Sequence, residues 1–208
     1  VFGEHIELGL DYIQMLYVKP IQILPILCLV SYENQTGKTT FLNWLNNLFI
    51  NNMAVIGNQE LQSAFNSNYA TKLIVAVDES KIDKNHVLEK IKAMATASTI
   101  EVNSKFITPY TIDFFAKIIL CSNYEDNFIN AKEEDIRYWV RKLGKPEFKN
   151  FDIETDLKKE MSAFVHYLQN REIKTEKKSR AWFDADEIET QALMEIKKNS
   201  IETVIKHL

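Results

Sequence analysis

The sequence predicts an α/β sandwich built around a mostly parallel sheet, and two observations carry that expectation. Short apolar runs without polar alternation recur along the chain, at "IQILPILCLV" (21–30), "KLIVAVDES" (72–80), "FFAKIILCSN" (114–123) and "IRYWVRKL" (136–143). Runs of that length, rich in Val, Ile and Leu, are the pattern of strands buried on both faces of a parallel sheet. Amphipathic segments long enough for helices stand between and after them, and alternating strands and helices imply helices layered over a central sheet.

Taken in order, residues 4–17, "EHIELGLDYIQMLY", predict an amphipathic helix stopped by the Lys19-Pro20 pair. A buried strand over 21–31 leads into "KTTFLNWLNNLFI", a helix whose Phe41, Leu42, Leu45 and Leu48 face inward. The run at 72–80 predicts a second central strand, and "KNHVLEKIKAMATA" a helix after it. "TIEVNSKFITPYTI" has two β-rich arms around Asn103-Ser104-Lys105 and predicts a hairpin. Third and fourth strands follow at 114–123 and 136–143. Helices over about 155–170 and 184–207 close the chain around the charged "REIKTEKKSR". Three regions result: residues 1–18 as an N-terminal helix that ends a preceding region, 19–150 as the core, and 151–208 as a C-terminal helical segment. There is no internal repeat and no Gly/Ser-rich linker.

Composition narrows the function classes. At 208 residues and 46% hydrophobic, the chain can bury one sizeable core. It opens on Val1, as expected of a piece of a longer polypeptide. Its longest apolar run contains Pro25 and is too short to span a bilayer, so a soluble protein is expected. Cys28 and Cys121 both lie in strand-like runs and read as small core residues in a reducing compartment. The net charge of −4, from 25 basic and 29 acidic residues, speaks against wrapping nucleic acid over the whole surface. A local basic contact remains open. His5, His86, His166 and His207 have no metal-binding spacing.

The chemistry begins at "SYENQTGKTTF", residues 31–41, directly after the first strand. A strand that turns tightly and leaves as a helix points backbone N–H groups and the positive end of the helix dipole at one spot, which suits an anion. A lysine next to the end of such a loop reaches β and γ phosphates, and the following hydroxyl ligates magnesium. Asn34, Gln35, Thr36, Gly37, Lys38, Thr39 and Thr40 fill this run, with Lys38 for phosphate and Thr39 for the metal. The first glycine of the usual pattern is replaced by Tyr32, so the stretch alone is equally compatible with a strand–turn–helix of no chemical role.

Three later elements bear on that choice. Asp78 and Glu79 end a buried strand at the carboxyl edge of the expected sheet, where open α/β sheets bind ligands. There Asp78 can hold magnesium, directly or through water, and Glu79 can polarise an attacking water. Asn123 ends the third buried strand, within reach of a γ-phosphate or lytic water bound on its neighbour. Arg137 and Arg141 lie four apart, on one face if the segment is a strand, and guanidinium groups stabilise charge on a transferring phosphoryl group.

Together these segments resemble the superfamily 3 helicase domain of phage and plasmid primase–helicase proteins, the primase-associated type. The resemblance covers nearly the whole chain. "SYENQTGKTTFLNWL" is similar to that family's Walker A segment, "KLIVAVDES" to its Walker B and "AKIILCSN" to its motif C with a sensor asparagine. "IKAMATASTIEVNSKFITPYTIDFFAK" resembles the B′ region, whose hairpin carries a DNA-gripping basic residue, and Lys105 matches it. "EEDIRYWVRKL" resembles the arginine-finger segment, with Arg137 at the finger, and "SRAWFDADEIETQAL" resembles the segment that follows.

The resemblance implies a P-loop NTPase (AAA+-like) three-layer sandwich with C-terminal helices, acting as a DNA helicase in a hexameric ring with ATP and Mg2+ between subunits. Lys38 and Thr39 would bind phosphate and magnesium, Asp78 would support the metal, Glu79 would activate water and Asn123 would sense the γ-phosphate. Arg137 would complete a neighbour's site in trans, with Arg141 as a second nucleotide contact, and Lys105 would grip single-stranded DNA. A primase or polymerase region on the same polypeptide, a cytoplasmic location and no membrane partner complete the expectation, and this piece alone is expected to be monomeric and nearly inactive. Other readings are a ring ATPase of the initiator, loader or packaging kind, and a non-catalytic module assembled by nucleotide.

Overall fold

The computed structural model describes residues 1–78, 85–125, 128–133 and 135–206, Asn85 and 202–206 by their backbone alone. At its centre is a five-stranded sheet in the order β2 (Met53–Ile56), β3 (Ile74–Val77), β6 (Lys117–Ser122), β1 (Ile26–Val30) and β7 (Tyr138–Lys142). All four of its pairings are parallel. All the expected central strands are present. The edge strand β2 is additional, and its four-residue "MAVI" is too short to stand out as an apolar run.

Alternation along the strands sends side chains to two separate cores. Leu27 and Leu29 of β1, Ile119 and Cys121 of β6 and Trp139 of β7 face one side. There they meet Tyr12, Ile13, Met15 and Leu16 of α1 (Ile6–Val18) and Phe41, Leu42, Leu45 and Phe49 of α2 (Lys38–Phe49). Leu168 of α5 (Ile153–Asn170) closes that side. Ile26, Cys28 and Val30, Ile118 and Leu120, and Tyr138 and Val140 face the other. They are covered by Leu61 of α3 (Asn58–Gln62), by Val87, Leu88 and Ile91 of α4 (Asn85–Met94), and by Leu193 and Ile196 of α7 (Gln191–Lys206). The result is a three-layer sandwich. Each fully buried large aliphatic or aromatic side chain contributes about 1.5–3 kcal/mol of transfer free energy, so both faces are needed to hold the sheet.

Local differences from the expected pattern have packing causes. In α2 the inward position is Phe49, whereas Leu48 packs at the margin. The last expected helix is broken at Glu189–Thr190 into α6 (Ala185–Ile188) and α7, and the Thr190 hydroxyl donates to the Val140 carbonyl at 2.7 Å. The hairpin is β4 (Thr99–Ser104) and β5 (Ile107–Asp113), a separate antiparallel sheet turning at Lys105-Phe106, one residue later than expected. Helix α1 is part of the core, as the Tyr12 hydroxyl donates to the Pro25 carbonyl at 3.1 Å and Gln14 donates to Leu168 at 2.8 Å. Cys28 and Cys121 are buried thiols outside any disulfide, and burial pushes the Cys121 thiol up to about 12. Among the described residues no helix is long and apolar enough to cross a membrane.

Candidate functional site

Strand β1 ends at Val30, and the loop after it is shaped by backbone conformations of positive φ. Gln35 has φ +62° and Gly37 φ +90°, and Gly37 forms the N-cap of α2. Glycine takes that left-handed conformation without cost, whereas glutamine does so under strain. Gly37 has no side chain to cap the helix, so the first N–H groups of this twelve-residue helix are open to a ligand at the positive end of its dipole. The Ser31 hydroxyl donates to the Glu33 carbonyl at 2.9 Å, and Glu125 accepts from Tyr32 N at 2.8 Å. The peptide at Tyr32 is therefore anchored through its backbone, and the residue is 58% exposed. The loop keeps its form without a glycine there.

The sheet order brings the next two elements to this loop. Because β6 lies between β1 and β3, the residues following all three strands gather at one edge. A cavity of about 210 Å³ is lined there by Asn34, Gln35, Thr36, Gly37, Lys38, Thr39, Thr40, Asp78 and Asn123. Apart from Glu79 and the two arginines, these are the residues that the sequence singled out for nucleotide and metal. Glu79 lies outside the described residues.

Lys38 Nζ lies 3.5 Å from the Ser31 carbonyl and 3.4 Å from Thr36 Oγ1, both long contacts. Partial burial pulls its pKa below the ordinary lysine value, while Cys121, Asp78 and Glu125 act in the opposite sense. An ammonium held by two long hydrogen bonds in a partly desolvated niche is suited to take an anionic oxygen. The residues present fit a nucleotide phosphate with magnesium: one lysine, the open helix N-terminus, the Thr39 hydroxyl and the Asp78 carboxylate line one cavity. Among the described residues no group of three His, Cys, Asp or Glu could hold a metal by itself, so a cation there would need ligands from the phosphate as well.

The other candidate residues stand elsewhere. The Arg137 carbonyl accepts from Ile26 N at 2.7 Å, which places Arg137 at the amino edge of the sheet, opposite the loop. Its side chain is 42% exposed, and its guanidinium donates to Asp135 at 2.9 Å. Arg141 does not line the cavity at the loop. It is buried against the N-terminal segment, where it donates to the Phe2 carbonyl at 2.7 Å, and Glu4 lies 3.7 Å away. Its side chain is thus held by partners far away in sequence. Lys105 occupies the hairpin tip beside the fully exposed Phe106, whose φ is +63°. The hairpin is steadied by Asn66, which donates to the Glu101 carbonyl and accepts from Asn103 N, both at 2.8 Å.

Several residues not singled out from the sequence shape the site. Glu125 is buried, ties Tyr32 N and forms an ion pair with Lys142; its closeness to Asn123 in "SNYE" is the signal that was present. Asp135 is buried between Arg137 and Lys92, the latter at 3.1 Å, and the acidic run before Arg137 is its trace in the sequence.

Solved structures share this fold. The apo C-terminal region (305–718) of NrS-1 superposes with a TM-score of 0.80 at 19% identity, covering 95% of this chain and 48% of that one. Another apo form of that region gives 0.79 at 19% identity, with the same coverage. JCV helicase, bound to a thiazolopyridinyl phenoxyphenyl acetamide, gives 0.54 at 11% identity, covering 95% of this chain and 57% of that one. The chain thus spans about half the length of the solved structures it matches. No curated protein matches it. Residues 29–141, more than half of the chain, match the family described as "Family of unknown function (DUF5906)", and the chain belongs to that family.

Proposed function

We propose that the chain is the ATP-hydrolysing motor of a DNA helicase, of the superfamily 3 type found in phage and plasmid replication, working as a ring with single-stranded DNA in its channel. The observation that carries this reading is the one cavity in which the phosphate loop, Asp78 and Asn123 meet at the carboxyl edge of a parallel sheet. The fold shared with JCV helicase supports it.

In this reading Lys38, the open N-terminus of α2 and Thr36 to Thr40 hold the triphosphate. Thr39 and Asp78 hold magnesium, which when bound neutralises charge on the phosphoryl oxygens. Glu79 orients and deprotonates the attacking water, and Asn123 donates to the γ-phosphate or to that water. Arg137 reaches the site of a neighbouring subunit, so hydrolysis needs assembly, with a hexamer as the ring. Lys105 grips the DNA backbone. A primase or polymerase region on the same polypeptide and a place in the cytoplasm of a bacterial host complete the proposal.

The test is DNA-stimulated ATP hydrolysis and strand displacement by the assembled protein. Lys38→Ala should abolish both, and unchanged hydrolysis would overturn the scheme. Lys105→Ala should weaken single-stranded DNA binding while sparing basal hydrolysis, and should lower the salt slope of binding by about 0.7 for each phosphate that the lysine neutralises. Loss of nucleotide binding in that variant would misplace the hairpin.

A further inference from the structure

The amino edge of the sheet, opposite the loop that carries Lys38, has a cavity of its own. About 410 Å³ in volume, it lies where β6 begins at Lys117, beside the segment leading into β1 and the residues after α4. Leu24, Met94, Phe114 and Ala116 are its buried walls, and the more exposed Phe115 and Ile21 line it as well. Lys117 belongs to this apolar lining and is only 3% exposed. Its ammonium donates to the Pro20 and Phe115 carbonyls, which accounts for two of its three N–H groups. The Phe115 ring centroid is 5.9 Å from the nitrogen, at the limit of a cation–π contact. Burial lowers the Lys117 pKa, and no neighbouring carboxylate offsets the shift. A buried charge without an ion-pair partner is costly, so an anion that enters here offsets that cost.

Ile21 and Ile23 are shared with a second cavity, of about 540 Å³, whose charged lining is all of one sign. Lys19, Lys177 and Arg180 line it, each exposed, and among the described residues no Asp or Glu does. Lys19 Nζ sits 4.3 Å from the centroid of the Trp182 ring, and Gln22 donates to the Arg180 carbonyl at 2.9 Å. A patch of three cations without an acid departs from the chain as a whole, whose net charge is −4.

We infer that the two cavities form one docking groove for the C-terminus of a partner protein, an acidic segment that ends in a large apolar residue. The last side chain fills the apolar cavity, and its α-carboxylate takes the remaining N–H of Lys117. The acidic residues before it lie along Lys19, Lys177 and Arg180.

Charge and shape together select this occupant. The buried ammonium asks for an anion in the same space as an apolar group, and an apolar residue carries an anion of its own only at the end of a chain. A fatty acid would satisfy Lys117 and leave the three exposed cations unused. Nucleic acid would pair with those cations, but its anions stand on the backbone, away from any base that entered the apolar cavity. The one carboxylate that lines the groove, Asp113, is exposed, so water weakens its repulsion of an anion, whereas Lys117 acts from a buried position. The groove lies at the other edge of the sheet from the cavity at Lys38, and the inference does not rest on the reading of that cavity.

The experiment is fluorescence anisotropy of the 208-residue chain with a fluorescein-labelled peptide of four aspartates ending in phenylalanine with a free carboxylate. Binding should weaken by about tenfold to a hundredfold when that carboxylate is made an amide. It should weaken by about tenfold or more when serine replaces the phenylalanine. Lys117→Met should bind the acid and the amide alike. Lys177→Ala with Arg180→Ala, at exposed positions, should weaken both peptides and flatten the salt dependence while keeping the preference for the acid. Ile21→Asp tests the groove without touching the core, since it puts a like charge on an exposed residue common to both cavities; it should abolish binding. No binding of the free-acid peptide would overturn the inference, as would equal affinity of the wild type for acid and amide, or an Ile21→Asp protein with wild-type affinity. Displacement by decanoate as effective as by unlabelled peptide would make the groove a fatty-acid site instead. Displacement by oligothymidylate to the same extent would make it a nucleic-acid surface.

Discussion

Arg137 and Lys38 stand at opposite ends of a single strand. The Arg137 carbonyl accepts from the first residue of β1 at 2.7 Å, and Lys38 follows the loop at the strand's other end. Five residues of strand span roughly 16 Å. An arginine side chain does not cross that distance, so the two groups cannot act on one phosphate within one subunit.

The expected outcome is complementation. Arg137→Ala and Glu79→Gln subunits, each assembled alone, should lose about 10³-fold or more of the DNA-stimulated ATPase rate. Mixed, they form some interfaces where an intact Glu79 meets an intact Arg137, and activity should return in part. Failure to recover at every mixing ratio would refute a role in trans.

Asp11 is the anchor of the segment after α5. It is fully buried, pairs with Arg171, and accepts from Lys174 N at 3.0 Å and Thr175 N at 2.7 Å. Arg171 also donates to Gln14 at 2.8 Å and to Glu7 at 2.8 Å. Asp11→Ala should cost about 3–5 kcal/mol, because it strands a buried guanidinium and two backbone donors. Chemical denaturation measures this. Adding Arg171→Met should recover part of the loss, and a double variant no better than Asp11→Ala would show that the stranded charge is not the cause.

Lys117 predicts a pH dependence. It is buried at the start of β6 and donates to the Phe115 carbonyl at 2.7 Å and to the Pro20 carbonyl. Burial lowers its pKa from 10.5 to about 8. Below pH 8 both folded and unfolded chains carry the proton, and the cost of burying the charge is present in full. Between about 8 and 10.5 the unfolded chain binds more protons than the folded one, so stability rises with pH through that window. Denaturant midpoints at about pH 7.5 and about pH 10 should show a gain in the wild type that is smaller in Lys117→Met. Equal gains in both proteins would exclude Lys117 as its source.

Gly9 is required by Phe2. A Cβ at Gly9 would fall 2.2 Å from the Phe2 ring, which stacks on Trp139 with centroids 5.3 Å apart. In an unobstructed helix Gly→Ala stabilises by about 0.5–1 kcal/mol. Here the sign should reverse, with a loss of about 1–3 kcal/mol from overpacking. In Phe2→Ala the added methyl has room, so the two substitutions should be less than additive. Additivity within about 0.5 kcal/mol would mean that the Phe2 ring does not pack on Gly9.

Residue pattern alone was enough for the central strands and helices of the core, the tight turn from β1 into α2, and the positions of Asp78 and Asn123 at strand ends. Each depends on a period or a turn within a few residues, and such signals survive without knowledge of the fold. Chain-local pattern could not reveal β2, because four residues are too few to show a period, or the break at Thr190, because the Val140 carbonyl that takes its hydroxyl is far along the chain. Folding alone established that β6 lies between β1 and β3, and so that Asn123 shares a cavity with Lys38 and Asp78. It also placed the Arg141 side chain against the N-terminal segment, since the Phe2 carbonyl meets it only after folding.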